Sequence, residues 1–367
     1  MAQPLKILLV QLYANGDCLY ATTVAKQIKN DFPASHLTWA VSPSSKSMIL
    51  NNPDVDSILE ITTVRKDNVV DFRKLKKQIS LGDFGHFDKV VITQIQDNNL
   101  ANYDGSIRSA IFRGYPDPIT IGVQPILNLY PEEINTVADF AIKHDLSSNQ
   151  NVILFECAPQ SGQSPLNMQM ALNIARQLVS AGNTAVILSS ANKIIGESAN
   201  IIDGSVLSIR ETAGLTHHCS LLLGSSSGLT WASTSTAAKQ LPMIQLLNPD
   251  TPFSNPISRD FSRFNLDNSK LIELTTFNIP TIVNCVLLAI NNFDAARTKF
   301  NTQILINFKT TSKIVYNLLC YGQVLNIVKH VAINTKLHGK ISGIYLQAAK
   351  GIITFPFKLI YNFIRKQ

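Results

Sequence analysis

The sequence predicts an α/β protein with two Rossmann-like domains whose parallel sheets face a cleft, followed by a basic helical tail. Short apolar runs alternate with helical stretches in two series, and the polar stretch Leu146–Asn151 separates the series. Such alternation is typical of βαβ units, in which right-handed crossovers cover both faces of a parallel sheet. The 367 residues suffice for two buried cores. We therefore expect domains over residues 1–147 and 148–294 and a tail over 295–367.

The first series opens with the continuous apolar run Leu5–Leu12, which is typical of a buried parallel strand. The loop Ala14-Asn15-Gly16-Asp17 follows it, and Cys18–Asn30 has the spacing of a helix. The pattern then predicts strands at Leu37–Val41, Ser57–Ile61 and Lys89–Thr93, with helices near Ser45–Leu50 and Phe72–Ile79.

The second series repeats this order. Strands are predicted at Val152–Glu156, Thr184–Ser189, Ser220–Gly224 and Met243–Leu247, and helices at Pro165–Ala181, Glu211–His217 and Ser227–Lys239. In sheets of this kind ligands bind at the carboxyl ends of the strands. The loops that follow the strands are therefore the places to look for a site.

The tail differs from the body in charge. No acidic residue follows Asp294, and residues 295–367 carry 11 Lys and Arg, whereas residues 1–294 carry 21 basic and 25 acidic residues. Apolar clusters between isolated lysines favour amphipathic helices that lie in an anionic membrane interface. The alternative is a set of helices that pack back on the body with solvated lysines. Nucleic acid is disfavoured, because the lysines are spread among apolar residues and no nucleic-acid motif accompanies them.

Several classes are disfavoured by what the sequence lacks. The five cysteines are scattered and form no CxxC pair, which favours reduced thiols in the cytosol. No secretory signal or sufficiently long apolar segment is present, so a cytoplasmic location is expected. The sequence also lacks GxGxxG, P-loop and GxSxG motifs.

Asp17 is the first candidate for chemistry. It follows the first strand and begins a helix, where a carboxylate on a rigid element could serve as a general base. An aspartate at this position can equally stabilise the helix start, and from position alone we favour that structural role.

Two hydroxyl-rich loops are candidates for binding an anion. The loop Gly224–Trp231 joins a strand to a helix, so backbone N–H groups and serine hydroxyls could hold a diphosphate. The loop Ser161-Gly162-Gln163-Ser164 could form the opposite wall. Both are also compatible with ordinary capped loops. The candidate donor-binding residues are Ser161, Gly162, Gln163, Ser164, Ser189, Arg210, Ser225, Ser226, Ser227, Gly228 and Thr230.

Three other signals are interpreted structurally. Ser208-Ile209-Arg210-Glu211 fits a capping box, although Arg210 could still reach a phosphate. Asp54-Val55-Asp56 precedes a strand rather than following one, and His217-His218-Cys219 lacks metal-ligand spacing. No metal site is predicted.

Taken together, these residues resemble glycosyltransferase family 9, the ADP-heptose:lipopolysaccharide heptosyltransferase group. The family's opening strand and G-D pair are matched by Lys6–Val10 and Gly16-Asp17. Its F-P...W-x-V...N-P-x-V-D segment is matched by Phe32-Pro33, Trp39-Ala40-Val41 and Asn52–Asp56. The resemblance extends to about residue 247, and the chain is a divergent member.

The resemblance implies a GT-B fold and a metal-independent, inverting transfer of a sugar from a nucleotide-sugar donor. ADP-heptose is one candidate donor, and the acceptor would be a surface glycan or glycolipid at the inner face of the membrane. Asp17 falls on the family's catalytic aspartate, with Asn15 and Gly16 on the acceptor side. No cofactor is implied.

The sequence departs from the family at the donor pocket. The family's D-S-G-x-x-H turn is replaced by Ser226 at the Asp position and Trp231 at the His position. Gly162 and Gln163 stand where a basic residue is usual, so Arg210, Lys193 or Lys239 would have to substitute. The alternative function is a catalytically degenerate scaffold or nucleotide-sugar sensor at the membrane. An epimerase of the same fold would need further acidic and histidine groups in the cleft.

Overall fold

Two parallel sheets form the framework of the computed structural model. The structure describes residues 4–159, 162–194, 198–251, 256–304 and 308–364, with only the backbone for 342 and 358–364. The first sheet has the order β3-β2-β1-β4, with β1 at Lys6–Val10, β2 at His36–Val41, β3 at Ser57–Glu60 and β4 at Lys89–Ile92. Its helices are α1 (Asn15–Asp31), α2 (Val69–Leu81) and α3 (Ile107–Phe112), with 3-10 turns at Lys46–Ile49 and Asp97–Asn102.

The second sheet has six strands in the order β10-β9-β8-β5-β6-β7. The strands are β5 (Asn151–Glu156), β6 (Thr184–Ser189), β7 (Ile201–Asp203), β8 (Leu221–Gly224), β9 (Met243–Leu246) and β10 (Leu271–Leu274). The associated helices are α4 (Pro131–Lys143), α5 (Met168–Ser180), α6 (Ile209–Leu215), α7 (Gly228–Ala232), α8 (Ile257–Arg263), α9 (Ile279–Asn291) and α10 (Phe293–Phe300), with 3-10 turns at Leu146–Ser148 and Thr216–His218. The predicted α/β class with two Rossmann-like sheets is confirmed.

Most predicted strands differ from the observed ones by one or two residues, but two short strands, β7 and β10, were not predicted. The helix predicted at Ser227–Lys239 is wrong in length, since α7 ends at Ala232. The hydroxyls of Thr234 and Ser235 donate to the carbonyls of Trp231 and Ala232, at 2.8 and 2.6 Å. Such side-chain bonds compete with continuation of a helix.

The larger hydrophobic core is shared by both sheets. It includes Ile7 and Leu9 of β1, Leu154 of β5 and Leu222 of β8, together with Trp231 of α7. A second core covers the other face of the second sheet and includes residues of α5, α9 and α10. The predicted boundary between residues 294 and 295 lies inside α10, which packs with the second sheet.

Three helices complete the chain and return to the first sheet: α11 (Lys309–Cys320), α12 (Val324–His338) and α13 (Ser342–Ile364). Ile314, Val315 and Leu318 of α11 pack with Leu100 and Ala101 of the 3-10 turn after β4. The inner faces of the tail therefore pack back on the body, as the alternative interpretation of the tail predicted.

Candidate functional site

The strand orders place two crevices at the carboxyl ends of the sheets. In the second sheet the order reverses between β5 and β8, and in the first between β1 and β4. Ligands of open α/β sheets bind at such switch points. The loops concerned carry Asp17 and Gln94 in the first sheet and residues 162–164 and 225–228 in the second.

Asp17 lies in the first turn of α1 but does not cap it. Ala14 occupies the N-cap position and makes no side-chain cap. Within the part of the chain that the structure describes, no hydrogen bond or ion pair reaches the Asp17 carboxylate, which is only partly accessible to solvent. Burial raises the pKa of Asp17 to about 7, against a smaller lowering effect of Lys66. The structural role that position alone favoured therefore lacks the hydrogen bond that a cap would make.

Two glycines let the first and second domains meet beside Asp17. A Cβ added to Gly16 would lie 3.1 Å from Cδ1 of Trp231, and one added to Gly228 would lie 3.1 Å from Cβ of Asn15. At either position a methyl group would push its neighbour back by a few tenths of an ångström, so glycine allows the closer approach. The start of α1 thus lies directly against the start of α7.

Two buried polar side chains of the second sheet, Glu156 and Gln245, bind the loop 225–228. The amide of Ser225 donates to Oε2 of Glu156 at 3.0 Å, and the amide of Ser226 donates to Oε1 of Gln245 at 2.7 Å. Thr230 is fully buried, and its hydroxyl donates to the same Glu156 oxygen at 3.1 Å. The structure therefore disagrees with the expectation that Thr230 binds the nucleotide sugar, because its hydroxyl is bonded to Glu156 of the sheet.

The serines of this loop are less available than the sequence suggested. Ser225 and Ser226 are almost fully buried, and among the described atoms the Ser225 hydroxyl oxygen has no hydrogen-bond partner. Two of the backbone N–H groups expected to hold a diphosphate are already bonded to Glu156 and Gln245. Because α7 has only five residues, its dipole is also short. Ser227 and Gly228 remain the candidates at this loop.

Glu156 was not predicted as a site residue. It ends β5 at the switch point, and only 4% of it is exposed. Burial raises the pKa of Glu156 to about 7, opposed by the bonds from Ser225 and Thr230. The available signal was a carboxylate that ends an otherwise apolar strand.

Arg210 does not face the crevice with a free guanidinium. It donates to both oxygens of Glu133 at 2.6 and 2.8 Å, and to the carbonyls of Ser47, Leu50 and Asn128. These bonds occupy all five of its N–H groups. The expectation that Arg210 reaches a donor phosphate is therefore wrong for this structure, and Arg210 instead fastens α6 to the first domain.

The capping box predicted at the same segment is confirmed. The Ser208 hydroxyl accepts from the amide of Glu211 at 3.2 Å, and the amide of Ser208 donates to the Glu211 carboxylate at 2.7 Å. This fixes the start of α6, which carries Arg210.

The loop after β5 lies against the loop after β8. Gln163 donates from Nε2 to the carbonyl of Ser226 at 3.1 Å, so the structure brings the two predicted loops together. Gly162 has a φ of 70°, a conformation that favours glycine. Ser164 accepts from the amide of Leu166, and the carbonyl of Ser189 accepts from the amide of Cys157. Ser161 lies outside the described residues.

Of the two lysines considered as substitutes for the family's basic residue, Lys239 lies at the amino edge of the second sheet, opposite the crevice. Its ammonium donates to the carbonyl of Cys219, which precedes β8, at 3.1 Å. Lys193 follows β6 and is exposed at the carboxyl edge. Over the described ranges, no group of three or more His, Cys, Asp or Glu is placed to hold a metal ion.

Trp231, which stands where the resembled family has histidine, belongs to the interdomain core. It is 3% exposed, and its ring centroid lies 4.8 Å from that of Tyr20. The Arg108 guanidinium lies over both rings, at 5.6 and 4.7 Å. This departure from the family thus supplies packing and a cation–π contact.

The framework is that of a GT-B protein, and comparisons with known proteins support this. No protein-family model matches the sequence, and no curated protein does. Among solved structures, the chain is similar to the E. coli ADP-heptose lps heptosyltransferase II, with a TM-score of 0.51 and 14% identity over 80% of this chain and 99% of that one. It is also similar to a glycosyl transferase family 9 protein from Veillonella parvula DSM 2008, with a TM-score of 0.49 and 15% identity over 75% and 88% of the two chains.

At 14% identity the similarity to the E. coli heptosyltransferase establishes the fold alone. The chain has a GT-B-like architecture of two Rossmann-like domains, which is the fold that the resemblance to glycosyltransferase family 9 implies.

Proposed function

We propose that this protein is a metal-independent, inverting glycosyltransferase that moves a sugar from a nucleotide-sugar donor to a hydroxyl of a glycan or glycolipid, with Asp17 as the general base. The observation that carries the proposal is the Asp17 carboxylate at the crevice of the first sheet, which makes no hydrogen bond or ion pair with the residues that the structure describes. It lies on the rigid start of α1, beside the loop of the second sheet that follows β8.

The proposed reaction needs few protein groups. The Asp17 carboxylate removes a proton from the acceptor hydroxyl, and that oxygen forms a bond to the anomeric carbon. The bond from the anomeric carbon to the donor phosphate breaks, and the nucleoside diphosphate leaves with the electron pair. A base with a pKa near the working pH suits this step.

We propose that the nucleotide-sugar donor binds in the crevice of the second sheet. Gln163, Ser227 and Gly228 lie there, and the first N–H groups of α1 have no intrahelical partner. The related E. coli enzyme is named for ADP-heptose, so ADP-heptose is the first donor to test. The absence of the family's basic residue at Gly162-Gln163 makes a different donor the next choice.

The same observations favour one alternative, a catalytically degenerate scaffold or nucleotide-sugar sensor. The amides of Ser225 and Ser226 are already bonded to Glu156 and Gln245. The guanidinium of Arg210 is bonded to Glu133. A pocket with so few free hydrogen-bond donor groups could bind a nucleotide sugar without stabilising the leaving diphosphate.

The test is a panel of nucleotide sugars, ADP-heptose included, assayed for binding and for release of the nucleoside diphosphate in the presence of membrane glycolipid extract. We expect one donor to be bound equally by the wild type and by Asp17→Asn. Its turnover should fall by about 10²–10⁴ in the variant, the usual contribution of a general base.

The exposed Asp139 of α4 provides a matched control, since Asp139→Asn makes the same chemical change away from the crevice. Turnover retained in Asp17→Asn would remove Asp17 from the mechanism. Binding without turnover in the wild type would favour the sensor.

A further inference from the structure

The tail helices α12 and α13 have inner and outer faces of different character. On α12 the inner face buries Ile327, His330 and Asn334, and Asn334 donates to the carbonyl of Tyr103 at 3.1 Å. On α13 the inner face buries Ile344 and Ala348. These contacts fasten α12 to the body, and α13 packs on α11 and α12, so their outer faces are not needed to complete the core.

The outer faces are nevertheless apolar. Leu325 and Val328 of α12 are 85% and 65% exposed, and Leu346, Ile353 and Phe357 of α13 are 67%, 65% and 70% exposed. The α13 residues are seven and four positions apart and so lie on one stripe of the helix. Isolated exposed apolar residues are ordinary, but stripes of them on two adjacent helices mark an interaction surface.

Lysines are the only charged residues on these stripes. Lys329 and Lys336 lie four and eleven positions after Leu325, and Lys350 lies four positions after Leu346; all three are exposed. No acidic residue occurs anywhere in the chain after Asp294. Apolar residues interleaved with lysines suit a surface that offers both acyl chains and negative charge.

We propose that the outer faces of α12 and α13 bind an anionic lipid bilayer and lie in its interface. A protein partner would need acidic groups facing each lysine, whereas a bilayer with anionic headgroups supplies them at every position. Within the described ranges, no helix is long and apolar enough to span a membrane.

The position of the tail has a consequence that rests on the proposed function. The tail packs on the 3-10 turn Asp97–Asn102, and Gln323 donates to Asp97 at 2.7 Å. That turn follows β4, whose carboxyl end lies beside that of β1 in the parallel sheet. The bilayer-bound tail would therefore be attached to the first sheet at the edge that carries the Asp17 crevice.

The test is flotation of the full chain with vesicles of phosphatidylcholine alone or with about one third phosphatidylglycerol. We expect binding to the anionic vesicles only, weakening as salt screens the lysines. The variant Leu346→Asp/Ile353→Asp/Phe357→Asp should lose binding. Leu81→Asp/Ile142→Asp/Val206→Asp is the control, since these residues are 68%, 77% and 67% exposed but lie elsewhere.

The charge is tested separately. Lys329→Gln/Lys336→Gln/Lys350→Gln should weaken partitioning by about a hundredfold, because each lysine near an anionic surface contributes about fivefold. Lys26→Gln/Lys143→Gln/Lys270→Gln removes three exposed lysines from the body and should change little. Circular dichroism confirms that each variant is folded.

Four results would overturn the proposal. The wild type could fail to float with anionic vesicles, or the Asp variant could float as well as the wild type. A preference for DNA or RNA over vesicles, or a dimer in sedimentation that the Asp variant abolishes without any lipid binding, would assign the face to another partner. Flotation needs no donor or acceptor, so its outcome is independent of whether the protein transfers a sugar.

Discussion

Asp17 has a raised pKa and no hydrogen-bond or ion-pair partner among the described residues, and this makes its chemistry testable through pH. Burial favours the neutral acid, so the carboxylate needed for catalysis forms only as the pH rises through about 7. We predict that kcat/KM falls about tenfold per pH unit below that value. The measurement is the pH–rate profile with the donor that the panel identifies. A profile that stays flat down to pH 5 would contradict a base with this pKa.

Asp17 and Glu156 should also make stability depend on pH. Burial raises the pKa of both groups to about 7, so between their ordinary values and pH 7 the folded state holds more protons than the unfolded state. The free energy of unfolding should therefore fall as the pH rises from about 4 to 7 and change little above that range. Urea titrations of Asp17→Asn and Glu156→Gln should show a shallower fall. If both variants keep the slope of the wild type, these carboxyls are not the groups that titrate.

Residue chemistry was the part of the site least accessible from sequence. Position alone favoured a structural role for Asp17, and the family resemblance implied the role of base. That no described residue bonds to its carboxylate depends on how the loops fold around it. Arg210 was misassigned because its partners, Glu133 and the carbonyls of residues 47, 50 and 128, are distant in the chain. Glu156 was missed because nothing in the sequence shows that two loop groups bond to it.

At the scale of elements, the approach of α1 to α7 depends on two glycines. Alanine at Gly16 would bring a methyl 3.1 Å from Trp231, which is held by Tyr20 and Arg108. We predict that Gly16→Ala destabilises the protein by about 1–3 kcal/mol, the range for overpacking. Denaturant unfolding gives this value. Gly122→Ala is the control, since its methyl would meet no described atom within 4 Å and should change stability little.

The strands were mostly predictable, whereas five helices of the body, α3, α4, α8, α9 and α10, were not predicted. Continuous apolar runs identified β1, β5 and β6 because buried parallel strands need no polar alternation. The short strands β7 and β10 were missed because three or four residues carry too little pattern. The length of α7 was overestimated, since the hydroxyl bonds that end the helix depend on rotamers that the sequence does not show.

At the scale of the whole molecule, the two domains are joined by buried polar contacts as well as by the shared core. Asp104 of the first domain pairs with Arg263 of α8 at 2.6 Å, and Arg108 of α3 pairs with Asp260 of α8 at 3.1 Å. These interactions, like the bonds of Arg210 to the carbonyls of Ser47 and Leu50, fix how the crevices of the two sheets face each other. A site made from both domains therefore depends on residues far from its own loops.

The Arg108–Asp260 pair gives the sharpest test of this interface, since both side chains are fully buried. Asp260→Ala would leave the Arg108 charge without its partner, at a cost of about 3–5 kcal/mol in the free energy of unfolding. Asp250→Ala, which removes an exposed pair with Lys309, should cost less than about 1 kcal/mol. The double variant Arg108→Met/Asp260→Leu removes both charges and should regain much of the loss. Urea unfolding of the four proteins measures these differences. Equal costs for Asp260→Ala and Asp250→Ala would mean that the buried pair does not hold the domains together.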